Sequence, residues 1–190
     1  LGYYQALLVW SLIGLGVLAW GCRRLGLGIW ETAIAVLSPA SVLCLYFGQS
    51  GNLTVGLLLL ALSARRGVDA TAIGAAALLT IKPQMGFLLP VFWLAERRWS
   101  ALLATSVLAL ALGGAAWWFA GSAAWLDYVG KTLPELSQLE RHGTGPFMSM
   151  IPSIFMALRI LTGDGDLAIK LHLLVTVPIL IFTLWRMWTI

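Results

Sequence analysis

The chain has 190 residues, a formal net charge of +4, and 60% hydrophobic against 11% charged residues. Globular chains carry about 45–50% apolar and about 25% charged residues. With a mean hydropathy of +0.90, an ordinary soluble domain is excluded and a polytopic helical membrane protein is indicated. The basic residues stand as isolated pairs between apolar runs, not as a clustered stripe, so nucleic acid is not expected as a partner. Cys22 and Cys44 lie in or beside apolar stretches and read as two buried free thiols. No CxxC spacing or Cys/His cluster marks a metal site, and neither metal nor cofactor is expected.

In chain order, apolar runs punctuated by charge predict the spans. The first covers about 3–22 and ends at Arg23-Arg24. The second covers about 28–47 and ends at Gly48-Gln49-Ser50-Gly51-Asn52. The third runs from Leu53 to Ala64 and ends at Arg65-Arg66. Two short stretches, 70–81 and 84–95, flank Lys82-Pro83 and close at Arg97-Arg98. A long span follows at about 100–120. Residues 121–146 are expected to form an outer-side interfacial helix and a loop. Spans at about 147–161 and 167–188 finish the chain, separated by Thr162-Gly163-Asp164-Gly165-Asp166. The fold class is therefore all-α, with about eight membrane segments making one transmembrane domain over 1–190. The chain opens Leu1-Gly2-Tyr3 without methionine or signal peptide and ends directly after an apolar run, so a piece of a longer multi-pass protein is expected.

The positive-inside rule puts Arg23-Arg24, Arg65-Arg66 and Arg97-Arg98 on the cytoplasmic side. Eight crossings satisfy all three pairs. They place Gln49–Asn52, Lys82-Pro83 and 121–146 on the other side. They leave Arg186 there as a mild violation and Asp69, Glu96, Asp164 and Asp166 in the cytoplasm. Each arm of the 67–96 hairpin has about 14 residues, or about 21 Å of helix, against a hydrocarbon core of about 30 Å. Its tip should stop short of the far surface. A Lys near hydrocarbon costs roughly 2.5–3.5 kcal/mol, so Lys82 should snorkel, face a polar cavity or meet an anionic partner. It reads as the one ionisable residue at depth. Pro83 explains the break.

Trp117, Trp118, Phe119, Trp125 and Tyr128 form an aromatic belt. Trp125, Leu126, Val129, Leu133, Leu136 and Leu139 give 123–140 an apolar face, interrupted at Pro134. Arg141-His142-Gly143-Thr144-Gly145-Pro146 is expected as a Gly-rich loop able to close over a ligand. His142 is a candidate phosphate contact or proton carrier, or a solvated loop residue. Gln49, Ser50 and Asn52 can cap helices, with Asn52 the expected N-cap of the third span, or approach a polar head group or sugar. Lys82 is a candidate phosphate contact, and Gln84 adds a neutral hydrogen-bonding group. Asp127, Glu135 and Glu140 read as a solvated helix face. Glu31 is expected to pair with Arg23 or Arg24.

Ser38-Pro39, then Gly48-Gln49-Ser50-Gly51-Asn52, Gly74, Ile81-Lys82-Pro83-Gln84 and Arg97-Arg98-Trp99 resemble, in order and spacing, glycosyltransferase family 87. This family belongs to the C-type (GT-C) superfamily and includes the polyprenol-phosphate-mannose-dependent mannosyltransferases of actinobacteria. The turn here has one residue more than the family's Gly-Gln-x-Asn pattern. The resemblance implies a bacterial cell-envelope hexosyltransferase, multi-pass in the cell membrane, with its site on the extracytoplasmic face. It implies a polyprenyl-phosphate-sugar donor, a lipid or glycan acceptor, and inverting transfer without a metal. It implies a catalytic Asp in a first outer loop, upstream of residue 1 here. Lys82 is then the donor-phosphate contact, Gln49 and Asn52 line the same cavity, and Arg141 and His142 lie near the donor. The rival classes are a transporter, which should show two related halves and facing ionisable groups, and a non-catalytic assembly subunit.

Overall fold

The computed structural model describes residues 2–64, 68–145, 148, 151 and 153–189, and its described elements are all helical. Arg65-Arg66, Pro146, and Phe147, Ser149, Met150 and Pro152 of the span read at 147–161 lie outside the described residues. Among the described residues, three helices are long and apolar enough to cross a membrane. These are α1 (Tyr3–Arg24), the helical run Trp99–His142 that begins with α8 (Trp99–Asp127), and α11 (Gly165–Thr189). A fourth span arises if α2 (Ile29–Val36) and α3 (Pro39–Tyr46), bent by 45°, count as one. Ser38 and Pro39 make that bend. Ser38 caps α3 by accepting the Ser41 N–H at 3.2 Å, and Pro39 occupies its first turn. The other apolar stretches are helical but short. α4 (Gly51–Leu62) has 12 residues, about 18 Å, well under the hydrocarbon thickness. An apolar run in the sequence therefore marks a helix in a dry environment, not necessarily a crossing.

The chain folds as two compact units, 1–113 and 114–190. In the first, α1 and α4 run parallel on a seam of small residues. A Cβ on Gly14 would stand 3.5 Å from Asn52 Cβ. Further along, one on Gly21 would stand 2.8 Å from the Gly56 carbonyl, and one on Gly56 2.5 Å from Leu18 N. Backbone meets backbone at that crossing, an approach that only glycine permits. α5 (Ala70–Leu78) then returns along α4, and a 3₁₀ turn (Leu79–Ile81) ends it. α6 (Pro83–Gly86) and α7 (Leu89–Ala95) complete the hairpin, each with a proline in its first turn. Leu57, Leu60 and Ala61 of α4, Ile73 and Ala76 of α5, Trp93 of α7 and Ala101 of α8 form one core.

Ion pairs close one end of this unit. Arg24 Nη2 lies 2.6 Å from Asp69 Oδ2, and Nη1 donates to Thr71 Oγ1 at 3.2 Å. Asp69 also caps α5 by accepting the Ala72 N–H at 3.2 Å. Arg98 donates to the Ala64 carbonyl at 2.6 Å and pairs with Glu96 at 2.5 Å. The partner of Arg24 is thus Asp69, not the expected Glu31, which is exposed and makes no ion pair among the described residues. Arg23-Arg24 and Arg97-Arg98 share this end. Parallel α1 and α4 and the returning α5 carry Gln49–Asn52 and Lys82 to the opposite end. Cys22 is buried and free; Cys44 is free but only half-buried.

In the second unit Gly121 breaks the helical run with φ 79° and ψ 161°, backbone that glycine adopts at little cost. The kink falls where the sequence reading ends the long span, at about 120. Trp117 Nε1 bridges the break to Ser122 Oγ at 2.8 Å. Beyond it the helix continues through a π turn (Tyr128–Thr132) into α9 (Leu133–His142), so Pro134 begins an element without interrupting the chain's helical course. Trp125, Leu126, Val129, Leu133, Leu136 and Leu139 are all exposed.

One expectation is corrected here. Arg141 and His142 are the last residues of α9, not loop residues, and the loop begins at Gly143. Cations in a last helical turn are favoured by the helix dipole. The segment 164–166 stands beside 141. A Cβ on Gly165 would collide with the Arg141 carbonyl, and Arg141 Nη1 lies 3.4 Å from Asp166 Oδ1. The chain between them, including α10 (Ile154–Thr162), returns to the level it leaves. Asp164 and Asp166 thus stand beside Arg141, and the span read at 147–161 falls partly outside the described residues. Arg186 sits at the far end of α11, about 30 Å from Gly165.

Candidate functional site

Lys82 stands at the tip of the α5–α7 hairpin, half-buried, with φ −135° and ψ 78°. Proline at 83 pushes the preceding residue out of the helical region. The 3₁₀ turn therefore ends there, and a new helix starts at Pro83. The Lys82 N–H donates to the Leu79 carbonyl, and its own carbonyl accepts from Met85 N, both at 2.9 Å. Among the described residues no carboxylate pairs with its ammonium. Gln84 is exposed on α6.

Gln49 and Ser50 lie at the same end of the unit, on the turn between α3 and α4. Gly48, at φ 63°, turns the chain, and Gln49 N bonds the Cys44 carbonyl at 2.8 Å. Gln49 is exposed; Ser50, not Asn52, is the N-cap residue of α4. Asn52 is the second residue of α4, only 7% exposed, and its Nδ2 donates to the Ser41 carbonyl at 3.3 Å. The Ser41 carbonyl lies in the first turn of α3 and accepts the amide with its second lone pair. Asn52 thus pins the turn that presents Gln49 from beneath. Spacing alone could not distinguish that role from capping, because the partner comes from another helix.

The second unit carries a cavity of about 370 Å³ between α9, α10 and α11, lined by Ser137, Glu140, Arg141, Ser153, Phe155 and His172 among others. Arg159 of α10 ties that helix to the end of α9. Its Nη1 donates to the Glu140 carbonyl at 2.7 Å and its Nη2 to the Gly143 carbonyl. These are carbonyls that the end of α9 leaves without helical partners. His172 lies two turns into α11, with ring nitrogens 3.2 and 3.3 Å from Thr176 Oγ1 and its ring edge-on to Phe155 at 6.3 Å. His142 is exposed and is not among the lining residues. Asp164 caps α11, accepting N–H bonds from Asp166 at 2.8 Å and Leu167 at 3.1 Å. Those bonds, to Leu167 and then Asp166, hold its carboxyl below the usual carboxylate range. The sequence reading missed His172 and Lys170. Two titratable residues inside an apolar 25-residue helix are the signal that could have found them.

Lys82, Gln49, Gln84 and the buried Asn52 thus belong to one end of the first unit, and Arg141 and His142 to the second unit. Among the described residues no group of three His, Cys, Asp or Glu side chains could hold a metal ion. No curated protein and no solved structure matches the chain. The family model of glycosyltransferase family 87 matches residues 1–189. A helical chain rich in membrane-length apolar helices, matched over its whole length, belongs to glycosyltransferase family 87 and is a membrane glycosyltransferase.

Proposed function

We propose that this enzyme moves a hexose, mannose, from a polyprenyl-phosphate-sugar donor to a lipid or glycan acceptor, at the non-cytoplasmic face of a bacterial cell membrane, within a GT-C-like bundle. The observation that carries this reading is Lys82. It is a half-buried ammonium at the tip of an apolar hairpin, with no carboxylate partner among the described residues. A cation in such a place is costly unless an anion meets it, and a lipid-linked phosphate is an anion delivered at that depth. In the reaction a general base takes the proton of the acceptor hydroxyl. The hydroxyl oxygen bonds to the anomeric carbon as the bond from that carbon to the phosphate oxygen breaks. The bonding electrons leave with the lipid phosphate, whose charge Lys82 stabilises. Gln49 and Gln84 offer neutral hydrogen bonds to the sugar at the same end of the unit, and Asn52 holds the turn that carries Gln49.

The test is transfer of radiolabelled mannose from polyprenyl-phosphate-mannose to a crude lipid acceptor extract by the intact protein in membranes. Lys82→Ala should lower the rate by about 10²-fold, the scale of losing one charge-stabilising donor. Transfer by Lys82→Ala at the wild-type rate would remove Lys82 from the reaction. Wild-type protein that neither transfers nor binds the donor would overturn the donor assignment.

A further inference from the structure

We propose that the cavity between α9, α10 and α11 is a saccharide site that takes one sugar ring of the acceptor. Its assignment to the acceptor rests on the reading that this enzyme transfers a hexose. The cavity measures about 370 Å³, at the small end of the roughly 300–1,000 Å³ range of small-molecule sites. Its polar lining carries both signs of charge. Glu140 and Arg141 stand side by side at the end of α9, with Ser137 one turn before them, Ser153 at the start of α10 and His172 on α11. Phe155 and the aliphatic side chains beside it supply an apolar wall.

These polar groups retain hydrogen-bonding capacity. The Glu140 carboxylate makes no ion pair among the described residues. Arg141 directs one guanidinium nitrogen at Asp166, 3.4 Å away, and a guanidinium has five N–H donors. Ser153 Oγ accepts the Met156 N–H at 3.1 Å, which leaves its own O–H to donate. A single Thr176 hydroxyl faces both His172 nitrogens, at 3.2 and 3.3 Å. It can pair with only one of them, so the other is open to a ligand. A phosphate in this cavity would be repelled by Glu140, and an ammonium by Arg141. A neutral ring of hydroxyls suits both neighbours. Vicinal hydroxyls donate to the carboxylate oxygens and accept from the guanidinium, while the C–H face of the ring lies on the apolar wall. The cavity is wholly within the second unit and Lys82 is in the first, so this site is distinct from the one proposed for the donor phosphate.

The test is saturation-transfer NMR on the full chain in a detergent without a sugar head group. The protein is titrated separately with the methyl α-pyranosides of mannose, glucose and galactose and with their per-O-methylated forms, which keep the ring and lose the hydroxyl donors. The wild type should bind at least one hexoside about tenfold more tightly than its permethylated form. Glu140→Ala should weaken that binding about tenfold, the scale of one hydrogen bond to a charged group. Glu140 is exposed and its bond from Arg159 goes to its backbone carbonyl, so this variant should fold as the wild type does. Phe155→Leu should weaken the binding as well. Gln49→Ala with Gln84→Ala, in the first unit, should bind as the wild type does. No saturation of any hexoside, equal binding of the permethylated form, or wild-type affinity in Glu140→Ala would overturn the proposal. Mannose transfer is measured on the same protein. Transfer without hexoside binding overturns this site and leaves the donor reading standing; binding lost in Glu140→Ala without any transfer or donor binding supports this site and overturns the donor reading.

Discussion

Gly56→Ala should destabilise the first unit, against the direction that helix propensity alone would give. In an unencumbered helix the change gains about 0.8–1 kcal/mol. Here the new Cβ would stand 2.5 Å from Leu18 N, 2.6 Å from Val17 C and 2.7 Å from Val17 O. All three are backbone atoms, so no side chain can swing away. Restoring ordinary contact requires α1 and α4 to separate by about 0.9 Å at the crossing, a gap that forfeits a quarter to a half of each dispersion contact along the seam. Overpacking of this kind costs about 1–3 kcal/mol. Gly74→Ala is the matched control, because a Cβ there meets nothing within 4 Å. Reversible unfolding in mixed micelles should show Gly56→Ala less stable than wild type and Gly74→Ala equal or more stable. If Gly56→Ala is as stable as wild type, the close crossing is wrong.

Asp69→Asn should cost about 2–3 kcal/mol in the same assay. It strips a partly buried Arg24 of its counter-ion and weakens the α5 cap; Glu31→Gln, which breaks no ion pair among the described residues, should be silent. Arg159→Gln removes the guanidinium from the Glu140 and Gly143 carbonyls, and hydrogen exchange at the end of α9 should accelerate at least tenfold, the equivalent of about 1.4 kcal/mol. For Asp164 the folded carboxyl is held below its ordinary value of 3.8. Its contribution is therefore fully present above pH of about 4 and lost as pH falls through the folded value. Amide exchange at Asp166 and Leu167 should rise on acidification in wild type and be pH-independent, after correction for intrinsic rates, in Asp164→Ala.

What could be read in advance was local punctuation. Lys82-Pro83 ends a helix because proline acts on its own backbone, whatever surrounds it. The shared end of Arg23-Arg24 and Arg97-Arg98 followed from charge and the alternation of apolar runs. What could not be read rests on distant partners. Asp69 finds Arg24 across 45 residues, Asn52 finds a carbonyl of α3, and Gly165 seats α11 against Arg141. Hydropathy reports a dry environment, and a short helix packed within a unit satisfies it as well as a span does. Lys170 and His172 were passed over because two titratable residues weigh little in the mean hydropathy of a mostly apolar helix of 25 residues.

The most direct test of the phosphate role is a comparison of polyprenyl phosphate with polyprenol as competitors for the labelled donor, in wild type and Lys82→Gln. The two competitors differ only in the phosphate, so their ratio isolates its contact. The wild type should prefer the phosphate by at least tenfold, about 1.4 kcal/mol, and Lys82→Gln should bring the two close to parity. A phosphate preference of the same size in Lys82→Gln would contradict the account, because some other group would then hold the phosphate.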